Sequence, residues 1–364
     1  MFKKYRSYAL AMIVGCLFLP SVIFAQDGFE ARAVDATIQS ISIDEMLEGG
    51  VRRYVFSVLT LSGEVYEVDT QNSFAYGVGY TINTGDSVSL RLIDTQTGTD
   101  VYLDDVHRES RLLFIVGVFV LLTLIIGLMR GFLSLLGLLI TLVILLFILF
   151  PAILNGTDPV IASTLASAAI LGINMHLSHG FRKQTFYAFL SALSGLVLVV
   201  LFTDIFISIA QLSGIASEEG ALLFLELGKI QIPVGILSAG IILGASGVLD
   251  DIAITQTEVI HELYIADPSS TRQELFKKGI RIGRHHIASI VNTLILVYAG
   301  AALPAFLLYM NQSIGYQAFF NNEIIAEELV RTLAGTCALV LTVPISTWFA
   351  TLPHRVIDNG KNST

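Results

Sequence analysis

Seven apolar runs follow one another after Arg111: Leu112–Met129, Phe132–Phe150, Pro159–Met175, Phe186–Ala210, Ile232–Leu249, His286–Tyr309 and Val330–Phe349. A helix rises 1.5 Å per residue, so about 20 such residues cross the ~30 Å hydrocarbon core of a bilayer. Backbone polar groups in hydrocarbon must be satisfied internally, which leaves helices as the way to bury runs of this length. The pattern predicts a polytopic α-helical membrane protein of about seven spans. The composition, 54% hydrophobic and 14% charged, excludes an ordinary soluble domain.

Residues 1–25 carry Lys3, Lys4 and Arg6 ahead of an apolar run that reaches Ala25. This is the layout of a secretory signal, cut after Ala25 or retained as an anchor. A third reading, lipidation at Cys16, rests on Ile13-Val14-Gly15-Cys16, but the chain stays hydrophobic after that cysteine, from Leu17 to Phe24. Residues 26–108 are of another kind. Alternating runs at Val34–Ile43, Arg53–Leu61, Val65–Asp69, Ser87–Ile93 and Asp100–Val106 are separated by turn signals such as Ser62-Gly63 and Asn83-Thr84-Gly85-Asp86. Five short strands predict a small barrel or sandwich, of the oligonucleotide/oligosaccharide-binding (OB) type or similar. This segment holds 14 acidic and 5 basic side chains, against 16 and 13 in residues 109–364. An acidic domain without an aromatic-basic stripe argues against nucleic acid and suits a spacer, or a docking module for another envelope protein. With its two cysteines, Cys16 and Cys337, both in apolar runs, the β domain has no disulfide to hold it.

Cation bias sets the expected orientation. With the β domain outside, the inner connections hold Arg130, Arg182, Lys183, Arg272, Lys277, Lys278, Arg281, Arg284, Arg355 and Lys361. The outer ones hold Lys229, with Arg331 at a helix start, and carry Glu218, Glu219, Glu323, Glu327 and Glu328. The C-terminus is then cytoplasmic, and the lipid bilayer is the first partner.

Ionisable side chains near membrane depth concentrate between Gly240 and Pro304. The stretch contains G-A-x-G-x-x-x-D with a later E-L, at Gly244, Ala245, Gly247, Asp251, Glu262 and Leu263. It then contains I-G-R followed by N-T-L-I-L-x-Y-x-G-x-x-L-P, from Ile282, Gly283 and Arg284 to Asn292, Tyr298, Gly300, Leu303 and Pro304. In this wording the chain resembles the YibE/F-like family of bacterial multi-pass membrane proteins. The resemblance implies the multi-span fold and a place in the bacterial cytoplasmic membrane, and names no biochemical activity. His285 departs from it, standing where an aspartate is usual.

At 100° per residue Asp251, Thr255, Glu258 and Glu262 share one helix face, with Asp250, Thr257 and His261 on an adjacent stripe. His285, Ser289 and Asn292 share a face of the next span. Two such faces would enclose a carboxylate–hydroxyl–amide site for a proton, a metal ion or a hydrated cation. The bland alternative is that the carboxylates are solvated or pair with Arg281 and Arg284. Gly240, Gly244 and Gly247 suit close helix packing. Two enzyme-like strings are weaker. Gly244-Ala245-Ser246-Gly247 fits the G-x-S-G of rhomboid-type intramembrane proteases, with His285 or His286 as base, but needs oxyanion donors as well. Glu258-x-x-His261 is half of a di-iron motif whose second copy is missing. His176 and His179 read as interfacial, and Asp204 as reaching the headgroups or, if turned inward, as a relay carboxylate.

No nucleotide-binding loop and no cofactor motif is present. The expected function is a permease or channel-like transporter with a polar site at the cytoplasmic end of spans five and six. The alternative is a non-transporting envelope receptor, scaffold or accessory subunit that presents the β domain. An intramembrane enzyme comes last.

Overall fold

The computed structural model describes residues 31–353 except 49, 74–77, 96–97, 228–230 and 312–314. The segment read as a signal, with Cys16, and the cations Lys229, Arg355 and Lys361 used for orientation lie outside the described residues. The chain divides into two compact units, 1–122 and 123–364.

In the first unit the five strands are β1 (Ala31–Met46), β2 (Arg52–Thr60), β3 (Val65–Asp69), β4 (Ser87–Thr95) and β5 (Gly98–Val106), with a single-turn helix α1 (Thr70–Ser73) after β3. They form one antiparallel sheet in the order β3-β2-β1-β4-β5. The long β1 pairs with β2 and with β4, and two register breaks, at Ile38/Ser40 and Ile41/Ile43, bend it. The sheet curls until its edge strands β3 and β5 approach each other, which makes a half-barrel rather than two stacked sheets. Period-2 alternation turns Phe56, Val58, Val88 and Leu90 inward, with Ile38, Tyr54, Val68 and Leu103 completing the core. The acidic surface is partly offset by cross-strand pairs. Arg53 donates to Asp69 at 2.6 Å, and this guanidinium holds the Asp69 carboxyl below its ordinary range.

Helices then take over: α2 (Glu109–Ile144), a π-helical turn at Leu145–Leu149, α3 (Phe150–Leu154), α4 (Pro159–His179), α5 (Lys183–Ala210), α6 (Glu218–Leu227), α7 (Gln231–Ala266), α8 (Arg272–Ala301), α9 (Leu303–Asn311), α10 (Tyr316–Asn321) and α11 (Glu323–Thr351). Among the described residues five are long and apolar enough to cross a membrane, or six if α8 and α9, bent by 64°, are one broken span. The seven expected runs fall within these five helices and the bent pair, so they do not each form a separate span. The first two lie in one 46-residue helical stretch, Glu109–Leu154, and at ~1.5 Å per residue that is about twice a bilayer core. Its helical geometry breaks at Leu128 (φ 48°, ψ −126°), one residue before the end of the first run. The sixth run is the bent pair.

Helix α11 is the axis of the second unit, packed against α5, α7 and α8. The core around it holds Leu196, Val199, Ile242, Leu249, Ile252, Leu339 and Val343. Close approach is made by glycines. A Cβ on Gly195 of α5 would fall 2.5 Å from Leu249 and 2.6 Å from Thr342, and one on Gly283 of α8 would fall 2.6 Å from Val343.

Candidate functional site

The helix pairings set the depth of the polar groups. Gly195, Leu249 and Thr342 meet at one level, and Gln256 accepts from Thr347 Oγ1 at 3.1 Å one layer further along. Residue numbers on α7 therefore run about 91 behind those on α11. Asp250 and Asp251 stand level with the middle of the last apolar run, Val330–Phe349. From the sequence these aspartates belong just beyond the end of the fifth span; packing places them at mid-depth of the bundle, because α7 continues as helix to Ala266 alongside α11.

Asp250 is half-buried, and its Oδ1 has no hydrogen-bond partner. Asp251 stands on the outer edge of α7, its side chain 67% exposed, and accepts from Thr255 Oγ1 at 3.3 Å. His286 of α8 brings Nε2 to 4.0 Å from its Oδ2. The sequence reading has His285 facing Asp251, and the structure gives that place to His286. Gly283, Ile290 and Leu294 turn into the core. At 100° per residue His286 lies 60° from Gly283, toward α7, while His285 lies 160° away on the open side.

The remaining candidates are found as follows. Glu258, Glu262, His285, Ser289 and Asn292 are exposed, and Thr255 is half-buried. Asp251, Thr255, Glu258 and Glu262 do share one face, as do His285, Ser289 and Asn292, yet the two sets do not close around one cavity. Glu258 and His261 instead line a cavity of about 30 Å³ with His179, Arg182 and Thr257. Among the described residues no group of three or more His, Cys, Asp or Glu is placed to hold a metal ion. Of the three packing glycines, only Gly244 has a close neighbour, Tyr298 Oη at 2.7 Å from an added Cβ; Gly240 and Gly247 face open space. That contact joins the two motifs of the 240–304 stretch. Ser246 of the G-x-S-G string is buried and donates its hydroxyl to Leu243 O at 2.8 Å. Asp204 is exposed, on the outer face of α5.

A second ionisable cluster was missed as a site because the sequence assigned it to outer loops. Glu323, Glu327, Glu328 and Arg331 all lie within the first three turns of α11. Glu327 is only 7% exposed, and its Oε1 has no partner. Arg331 lies 3.3 Å from Glu328, and Glu323 accepts from the Ser213 backbone N–H. The Leu212–Ser217 loop that supplies this donor is pressed onto the start of α7 at Gly214 (φ +73°), where a Cβ would fall 2.5 Å from the Pro233 carbonyl. The i, i+4, i+8 spacing of Glu323, Glu327 and Arg331 was the available signal. By the same register Glu327 and Asp250 are separated by about 20 Å along the bundle.

Between the two clusters and beyond Asp250 the packed helices carry further polar side chains. Ser346 donates to Ser191 at 3.0 Å, both buried, and Gln256 Nε2 is left without a partner beside Thr347. The Ser346–Ser191 bond ties α11 to α5 as interhelical hydroxyls do in packed bundles, whereas leaving Gln256 Nε2 unpartnered costs free energy.

No curated protein and no solved structure matches the chain. The model of the YibE/F-like protein family matches residues 115–355, which takes in every helix of the second unit and both ionisable clusters, and the chain belongs to that family.

Proposed function

We propose that this YibE/F-like protein is a permease or channel-like transporter of the bacterial cytoplasmic membrane, passing a proton or a small cation. The observation that carries this reading is the Asp250, Asp251 and His286 group at mid-depth, at the open edge between α7 and α8. Charged groups at that depth are costly to hold in hydrocarbon and serve where they line a hydrated path. The break between α8 and α9 adds to it, since interrupted helices supply polar backbone at transport sites. Glu327 supplies a carboxylate toward the other end of the same bundle. In this reading the acidic half-barrel is an OB-like domain on the outer side, and the C-terminus is cytoplasmic, in keeping with the cation bias. Coupling is to an ion gradient or to a separate ATPase.

The test is flux through the purified full chain in proteoliposomes, read by interior dyes under imposed proton, sodium and potassium gradients. The parent is expected to pass at least one of these ions. Asp251→Asn is expected to slow it about tenfold, about 1.4 kcal/mol on the barrier, with unchanged thermal melting. A parent no leakier than protein-free vesicles to all three ions overturns the reading. The second reading, an envelope scaffold, draws on the half-barrel being a compact acidic unit of its own. There, deleting residues 31–106 abolishes the cellular phenotype and Asp251→Asn is silent.

A further inference from the structure

At the end of the bundle where α4 finishes and α5 begins, a cavity of about 490 Å³ opens against the last turn of α11. Its polar lining is cationic: Arg182 and Lys183, both exposed, and His176, whose Nδ1 is engaged with Gly172 O at 2.8 Å. Among the described residues no acidic side chain lines it, Glu258 standing with Arg182 in the separate small cavity. Among the described residues no ion pair joins Arg182 or Lys183 to a carboxylate, although the chain has more acidic than basic groups. The apolar part is aromatic. Phe181 is 92% exposed at the turn and lies tilted against the His176 ring, their centroids 5.1 Å apart, with Phe186 and Tyr187 also lining the cavity. Two unpaired cations and a rim of exposed rings at the end of two apolar helices are what an interfacial phosphate ligand requires. The cations meet the oxyanion, and the rings lie at headgroup level among the upper acyl carbons. Solvation alone explains neither the concave shape nor a phenylalanine left almost wholly open.

We propose that this cavity is a binding site for a phosphate oxyanion, held by Arg182 and Lys183 with His176 at its wall and Phe181 as its apolar lip. It is independent of the permease reading and of the carboxylate clusters. An anionic phospholipid headgroup and a free phosphate share this chemistry, and the experiment separates them. The full chain in neutral detergent is titrated with phosphatidylglycerol, with phosphatidylcholine and with inorganic phosphate, and the thermal midpoint is followed. Phosphatidylglycerol is expected to raise the midpoint saturably while phosphatidylcholine does not. Arg182→Gln with Lys183→Gln is expected to weaken apparent affinity about thirtyfold, each interfacial cation contributing roughly fivefold. Arg272→Gln with Lys277→Gln, which removes two exposed cations elsewhere, keeps the parent's affinity. An effect of inorganic phosphate equal to that of phosphatidylglycerol, lost in the Arg182/Lys183 variant, supports the site and assigns it to a soluble ligand. No saturable effect of either anion, or an effect unchanged in that variant, overturns it. Both positions are exposed, so the variant retains the fold, and melting without added anion verifies this.

Discussion

At the residue scale, position on a helix decides what a titratable group can do. Asp267 lies past the end of α7 and accepts from Ser269 Oγ at 2.6 Å, Ser270 Oγ at 2.7 Å and Lys278 Nζ at 3.4 Å. These hydrogen bonds, with Ser269 the largest cause, bring its carboxyl down to about 2. A carboxyl depressed on folding contributes stability above its unfolded value, near 4, and loses it as pH falls toward 2. Asp267→Asn is therefore expected to lower the thermal midpoint at neutral pH and to match the parent near pH 2. Melting the two proteins across the acid limb checks this, and a gap that persists at pH 2 refutes it. The α7–α8 connector was legible in the sequence as charged. That Asp267 organises it was not, because the bonds depend on the path of the turn.

Among the elements, one of the three glycines expected to pack, Gly244, meets a neighbour, Tyr298. Small residues at regular spacing mark a face but not its neighbour, and Gly240 and Gly247 look out of the bundle. Gly283 of the I-G-R motif sits instead between Val343 and Gln256. Gly283→Ala should force those neighbours apart, cost about 1–3 kcal/mol and loosen the Gln256–Thr347 bond. Gly247→Ala should be neutral or gain up to about 1 kcal/mol from helix propensity. Thermal unfolding of the two variants in detergent distinguishes them, and equal midpoints would show that the α8–α11 contact is not as close as described. The strands of the half-barrel were more legible than the helix contacts. Their period-2 alternation ties each side chain to one of two faces, whereas a helix with apolar residues all round conceals its orientation.

On the scale of the whole molecule, the expected topology has a direct test. Ser269 is exposed, whereas Ser270 is buried and bonded to Asp267. A label on the connector therefore belongs at Ser269→Cys, and Leu61→Cys, 92% exposed on the half-barrel, is its counterpart. In intact cells an impermeant maleimide is expected to modify position 61 and to spare position 269 until the membrane is opened. Modification of position 269 in intact cells inverts the orientation and moves the proposed phosphate site to the outer face.

The sequence by itself determined the two-part plan, the five strands and the apolar helices, because these follow from local periodicity and from run lengths set by bilayer thickness; the family was legible in the two motifs between Gly240 and Pro304. It also located Asp250 and Asp251 as candidates. Only the tertiary structure decided their depth, since that depends on which residues of α5, α7 and α11 share a layer. The choice of His286 over His285 was settled in the same way, by the rotation of α8 that buries Gly283, Ile290 and Leu294. Glu327 became a buried carboxylate rather than a loop residue because α11 begins at Glu323, and its second turn packs under the Leu212–Ser217 loop. Local patterns specify elements; contacts between residues far apart in the chain specify which polar groups are left inside without partners.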